Sequence, residues 1–137
     1  MRILVLLFTL TSLTSFAQGW HKHYPKGRIG HAIQQTTDNG YIIVGSSGNS
    51  GYWSDAYLLK LDQYGDTIWT RAYGGSQEQE GLNVDKTTDG GYIVTGFCQD
   101  FPRKLYLVRT TNTGDTLWTK RYGNYAEGTA VKQTADG

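Results

Sequence analysis

The chain has 137 residues, with 13 Lys and Arg against 12 Asp and Glu and a single Cys. This length suits one ordinary domain, and a near-neutral charge without a basic cluster argues against nucleic acid as a partner. The lone Cys98 cannot form an internal disulfide, so we expect it to be a small buried residue on a strand.

The first residues have the organisation of a secretory signal. Arg2 supplies the positive charge, residues 3–10 the apolar core, and Ser15-Phe16-Ala17 the small-x-small pattern that precedes cleavage. The sequence therefore predicts a signal peptide over 1–17, cleaved after Ala17, and a secreted or cell-surface protein, with a buried N-terminal strand as the alternative. The apolar run is shorter than the roughly 20 residues that span a bilayer, so we expect no membrane span.

The remainder, residues 18–137, repeats itself. GDTIWTRAYGG from Gly65 returns as GDTLWTKRYGN from Gly114, and TTDNGYIIVG from Thr36 returns as TTDGGYIVTG from Thr87. Three Trp and three Tyr residues are each spaced 49 and 49 apart: Trp20, Trp69, Trp118, Tyr24, Tyr73 and Tyr122. This region is therefore about two and a half copies of a unit of roughly 49 residues.

Each unit is predicted to form four short antiparallel strands, because β-branched and aromatic runs alternate with turns rich in Gly and Asp. A lone fourth strand is expected first, over 20–24. The first unit then gives strands over 32–36, 41–45, 56–61 and 67–73. The second gives 82–87, 92–96, 105–110 and 116–122, and a third unit begins with 129–134.

The turns between these strands agree with the assignment. Asp38-Asn39-Gly40 and Asp89-Gly90-Gly91 join strands one and two, and Gly65-Asp66 and Gly114-Asp115 join strands three and four. Gly tolerates positive φ in such turns, and the Asp side chain can hydrogen-bond to the turn backbone.

A single sheet of this size cannot bury both of its faces, so the unit needs a neighbour of its own kind. We expect the recurring Trp to lie between adjacent sheets. Four-stranded units in tandem predict an all-β, β-propeller-like fold, with an open array of sheets or a ring of several chains as the alternative. Because closure needs about four or more blades, we expect a truncated product, completed by further repeats of the same kind or by a homo-oligomer.

The lines TTDGGYIVTG and GDTLWTKRYG, together with the export signal, resemble the propeller-like tandem repeats of large secreted bacterial surface proteins. The resemblance covers residues 20–137 and implies export and a binding or display role, without catalytic residues. Thr36-x-Asp38-x-Gly40 and its copy from Thr87 also resemble, in part, the Asp-box hairpin of sialidase-type propellers. That box is a folding element, and its usual aromatic is replaced here by Ile43 and Val94.

No catalytic constellation stands out in the sequence. Four Asp residues recur in register, which favours structural roles because a catalytic residue is needed only once: Asp38, Asp66, Asp89 and Asp115. Glu80 and Glu127 also recur, and we expect them at turns or on the surface. His21 and His23 could share one side of a strand, but no acidic or Cys partner is near, so neither metal nor cofactor is expected.

The loop between strands two and three changes from copy to copy. It reads GNSGYWSD in the first unit and CQDFPRK in the second, with the aromatics Tyr52 and Phe101 spaced 49 apart and Trp53 added in the first. Because loops often carry function, these three residues are the predicted ligand contacts, and the alternative is that they cover the edge of the blade. The sequence thus predicts a non-enzymatic scaffold that displays loops to a glycan or protein. The alternative is a fragment of a secreted propeller hydrolase whose catalytic residues lie elsewhere.

Overall fold

A computed structural model describes residues 19–24, 29–48 and 54–135. These residues form eight strands, arranged as two antiparallel four-stranded sheets in sequential order, and no helix. The first sheet contains β1 (Ile29–Gln35), β2 (Tyr41–Ser47), β3 (Asp55–Leu61) and β4 (Thr67–Tyr73). The second contains β5 (Gln79–Lys86), β6 (Tyr92–Cys98), β7 (Lys104–Thr110) and β8 (Thr116–Tyr122). The described ranges accordingly hold no helix that could cross a membrane.

All eight strands predicted for the two complete units are confirmed, and β4 and β8 have the predicted bounds. The first strand of each sheet begins three residues earlier than predicted. In both, the ladder continues past an irregularity in register, after Gly30 in β1 and after Gly81 in β5. An extra residue at such a point shifts the alternation of apolar and polar side chains. The start of the strand therefore could not be predicted from that alternation.

Two further predicted strands are wrong. Residues 20–24 and 129–134 are in neither sheet. A strand exists only where a neighbouring strand takes up its backbone hydrogen bonds, and no described strand lies in ladder register with either segment. Residues 126–133 nevertheless lie against the second sheet, where the Gly128 N–H donates to the Gly96 carbonyl at 2.9 Å.

The hairpin between β1 and β2 shows why its residues recur. The Asp38 Oδ1 atom accepts from the Gly40 N–H at 3.1 Å, and Asn39 takes the positive φ of 62°. Gly40 is needed for a different reason than the predicted one. A Cβ there would lie 2.2 Å from the Leu61 carbonyl oxygen. The second sheet repeats this hairpin, with Gly90 in the positive-φ position.

Each of these hairpins is tied to the third strand of its sheet by a cation. The buried Lys60 ammonium donates to Asp38 at 2.7 Å and to the Thr36 hydroxyl at 3.1 Å. The Lys60 hydrogen bond, with that from Thr36, lowers the pKa of Asp38 to about 2. Arg109 contacts Asp89 at 2.6 Å in the second sheet and holds the pKa of that carboxyl well below its usual range.

The two sheets pack face to face through a shared apolar core. It combines side chains of β2, β3 and β4 with side chains of β5, β6 and β7: Ile42, Val44, Ala56, Leu58, Tyr73, Val84, Tyr92, Val94, Cys98, Tyr106 and Val108. Gly81 permits the close approach, since a Cβ there would lie 2.4 Å from a methyl of Val44. The predicted burial of Cys98 on a strand is confirmed.

The fourth strand of the first sheet closes this interface. The Trp69 ring meets the Tyr92 ring edge-on, with centroids 6.0 Å apart, so Trp69 lies between the sheets as predicted. The Tyr73 hydroxyl donates to the Gly114 carbonyl at 2.7 Å. Arg71 lies 3.7 Å from Asp115.

The segment 19–24 makes the same contacts on the outer face of the first sheet. Trp20 meets Tyr41 edge-on with ring centroids 5.8 Å apart, and the Tyr24 hydroxyl donates to the Gly65 carbonyl at 2.9 Å. Lys22 pairs with Asp66 at 2.5 Å. Although it forms no strand, this segment therefore occupies on the first sheet the position that β4 occupies on the second.

Candidate functional site

A cleft of about 780 Å³ opens at one end of the strands of the second sheet. One wall is the loop between β6 and β7, and the other is the segment that follows β8. Its lining consists of Gln99, Phe101, Pro102, Arg103, Tyr125, Ala126 and Glu127. The cleft therefore joins two parts of the chain that are more than twenty residues apart in sequence.

Arg103 holds the two walls together. Its guanidinium lies 4.0 Å from the centroid of the Phe97 ring, which is buried in β6, and its Nε donates to the Gln99 side chain at 3.2 Å. The Arg103 carbonyl accepts from the Ala126 N–H at 3.1 Å. Stacking on a buried ring fixes a long side chain that would otherwise be mobile, so the cleft has a defined donor at its base.

The charged groups of the cleft form an ion pair that faces solvent. Arg103 Nη1 donates to Glu127 Oε2 at 3.0 Å, and both side chains are close to half exposed. Such an exposed pair contributes little to stability because water screens it. The pair thus presents a donor and an acceptor side by side, within reach of a bound molecule.

Two large aromatic rings of the lining are strongly exposed to solvent. Phe101 is 82% exposed and Tyr125 is 88% exposed, which is unusual for side chains of this size. Tyr125 also has a φ of 56°, a left-handed conformation that costs free energy for a residue with a bulky side chain. Residues with a strained backbone cluster at ligand-binding sites, so Tyr125 is a candidate for ligand contact.

The structure places one of the three predicted contact residues in the cleft, namely Phe101. Tyr52 and Trp53 lie outside the described residues. Sequence reasoning missed Tyr125, Arg103 and Glu127 as a group. The sequence does contain a signal for Tyr125, because this aromatic departs from the repeat. The equivalent position of the first unit, 49 residues earlier, is Ser76.

Three further groups that the sequence singled out form no site among the described residues. Burial raises the pKa of the Cys98 thiol, which keeps it protonated and unreactive. Across the described parts of the chain, no three His, Cys, Asp or Glu side chains lie close enough together to hold a metal ion. Glu80 lies within β5 and not at the expected turn, and it is 3.4 Å from His31 of β1, so it connects the two sheets.

Comparison of the sequence with protein-family models and with curated proteins finds no match. Any functional assignment therefore depends on the geometry of the cleft itself.

The cleft offers groups that can stack against a ligand and hydrogen-bond to it. Its described lining supplies two aromatic surfaces, one guanidinium, one carboxylate and one side-chain amide. A retaining or inverting glycosidase needs two carboxyl groups about 5–9.5 Å apart across the scissile bond. The single carboxylate of this lining, Glu127, is instead engaged by Arg103.

Proposed function

We propose that the protein is an exported, non-enzymatic binding module that presents this cleft to a glycan. The observation that carries the proposal is that two exposed rings, Phe101 from one wall and Tyr125 from the other, line the same cleft as the Arg103–Glu127 pair. A sugar ring has an apolar C–H surface edged by hydroxyls, so it suits aromatic rings beside a donor and an acceptor. A peptide offers fewer hydroxyl groups to such a pair.

The sheets act in this proposal as blades of a β-propeller-like array. Support comes from the face-to-face packing of the two sheets and from the segment 19–24, which repeats on the first sheet the contacts that β4 makes on the second. A rigid stack of this kind holds the loops at the ends of its strands in fixed positions, which lowers the entropy cost of binding. The signal-like residues 1–17 support export.

The test is a titration of residues 18–137 with glycans selected on an array. Phe101→Ala and Tyr125→Ala should each weaken binding by about tenfold, which corresponds to ~1.4 kcal/mol for a lost stacking surface. Tyr64→Ala is the matched control, because Tyr64 is an exposed aromatic of the β3–β4 turn and not part of the cleft. It should bind as the unmodified chain does.

The possible outcomes separate the candidate functions. Glycan affinity that survives both cleft substitutions would refute the site. Binding of peptides alone, with the same dependence on Phe101 and Tyr125, would replace the glycan by a protein partner. Turnover of a chromogenic glycoside by the purified chain would overturn the non-enzymatic assignment. The predicted role of Tyr52 and Trp53 can be measured in the same titration, where Trp53→Ala should also weaken binding.

A further inference from the structure

The fourth strand of the second sheet repeats the residues with which β4 contacts its neighbouring sheet, but no described sheet lies against them. Trp118, Lys120 and Tyr122, here called the docking triad, follow Trp69, Arg71 and Tyr73 by 49 residues. Trp118 is 39% exposed and Tyr122 is 49% exposed, whereas Tyr73 is only 6% exposed. No described residue receives the triad in the way that the second sheet receives β4.

The triad has the same internal arrangement as the set that is engaged. The Lys120 ammonium lies 5.2 Å from the centroid of the Trp118 ring, and the Arg71 guanidinium lies 5.7 Å from that of Trp69. A cation held beside the indole is therefore a property of the strand itself and does not depend on a neighbouring sheet. The triad is preorganised for the contact that β4 makes, which lowers the cost of forming it.

The chain contains two examples of a site that accepts such a set of residues. In both cases an indole lies on the Gly of a Gly-Asp turn, a Tyr hydroxyl donates to the carbonyl of that Gly, and a cation pairs with the Asp. On the first sheet this acceptor site is formed by Tyr41, Gly65 and Asp66. A Cβ on Gly65, where φ is 80°, would lie 2.7 Å from the Trp20 ring, so only Gly admits the indole.

We propose that the docking triad binds the acceptor site on the first sheet of a second copy of this chain. Each copy carries both surfaces, and their charges are complementary, because Lys120 would meet the Asp66 carboxylate that Lys22 now contacts at 2.5 Å. Since the triad and the acceptor site are different surfaces, the association is head-to-tail, and it extends or closes into a ring according to the rotation between copies.

Two segments of the chain compete with this association. Residues 19–24 occupy the acceptor site, and residues 128–133, which follow the wall of the cleft, lie against the second sheet where the first strand of a docked sheet would lie. Neither segment takes part in a ladder, so each is displaced without loss of strand pairing. The sheet that replaces them brings the apolar face of Tyr57, Leu59 and Leu61 against the second sheet of the other copy.

Sedimentation velocity of residues 18–137 over a range of concentrations tests the proposal. The unmodified chain should form species larger than a monomer as concentration rises, and Trp118→Ala should weaken this association by about tenfold or more. Leu117→Ala is the control, because Leu117 is exposed on the neighbouring position of the same strand. Trp20→Ala should strengthen association, since it loosens the segment that competes for the acceptor site.

A charge exchange separates docking from a general effect on folding. Lys120→Glu and Asp66→Lys should each associate weakly alone, because each brings like charges together at the interface. Their mixture should associate more strongly than either, since Glu at 120 of one copy then faces Lys at 66 of the other. A chain that stays monomeric at all concentrations, a Trp118→Ala variant that associates normally, or a mixture no stronger than its components would each overturn the proposal. The glycan titration does not involve these residues, so the two proposals fail independently.

Discussion

Replacement of Tyr73 by Phe isolates one hydrogen bond of the sheet–sheet interface. The Tyr73 hydroxyl donates to the Gly114 carbonyl at 2.7 Å, and both groups are buried between the sheets. Burial also raises the pKa of Tyr73, so the hydroxyl stays protonated and remains a donor at neutral pH. Phe keeps the ring and its packing and removes only the donor.

The expected loss of stability follows from this geometry. A net hydrogen bond contributes about 0.5–1.5 kcal/mol, and a buried acceptor left without a partner costs about 1–3 kcal/mol. Because no described group other than Tyr73 donates a side-chain hydrogen bond to the Gly114 carbonyl, we expect Tyr73→Phe to lower the free energy of unfolding by roughly 2 kcal/mol. The urea dependence of that free energy should not change, since the folded surface is the same.

The repeat supplies its own controls for this measurement. Tyr24 makes the equivalent bond to Gly65 at 2.9 Å from a half-buried position, so Tyr24→Phe should cost less, about 0.5 kcal/mol. Tyr122 is exposed, so Tyr122→Phe should cost close to nothing. Urea unfolding of residues 18–137, followed by circular dichroism at a low protein concentration, measures all three. Equal losses for Tyr73→Phe and Tyr122→Phe would refute the reasoning, as would a loss below about 0.5 kcal/mol for Tyr73→Phe.

Two further predictions concern the acid stability and the packing of the sheets. The pKa of Asp38 is lowered to about 2, so its ionised form stabilises the fold above the unfolded value of about 4, and this contribution is lost as pH falls from about 4 through about 2. Asp38→Asn should therefore flatten the loss of stability over that range in urea titrations at successive pH values; an unchanged slope would contradict this. Gly81→Ala should lower the free energy of unfolding by about 1–3 kcal/mol, because its Cβ would lie 2.4 Å from Val44 between the sheets. Gly75→Ala, where no atom lies within 4 Å of the new Cβ, should leave the unfolding midpoint unchanged, and equal effects of the two substitutions would count against the packing argument.

The repeat made most of the fold predictable. Because the repeated unit occurs twice in full, the number and order of the strands could be predicted. The position of Trp69 between the sheets could be predicted because each sheet needs a neighbour to bury its faces. The segments 20–24 and 129–134 have the residues of strands but form none among the described parts of the chain. Local sequence specifies which segments can become strands, whereas hydrogen bonding to a neighbour decides which of them do.

The residues of the candidate site were harder to predict from the sequence than the fold. Phe101 was predicted because its loop differs between copies and keeps an aromatic in register with Tyr52. Arg103 and Glu127 enter the site through a contact between a loop and the segment after β8, and no periodicity encodes such a contact. Tyr125 could have been found by asking which aromatics of the second unit have no aromatic equivalent in the first.

Recurrence and departure from recurrence therefore indicate different kinds of chemistry in this chain. A side chain that recurs every 49 residues, such as Trp118 after Trp69, belongs to the interface between one sheet and the next, because every such interface needs the same contacts. A side chain that appears once, such as Tyr125, is free of that constraint and can serve a ligand. If this distinction holds, substitutions in the docking triad should change association and leave glycan affinity intact, and substitutions in the cleft should do the reverse. A single variant that altered both would show that the two surfaces are coupled through the second sheet, since β7 leads from the loop that forms one wall of the cleft to the turn that precedes the triad.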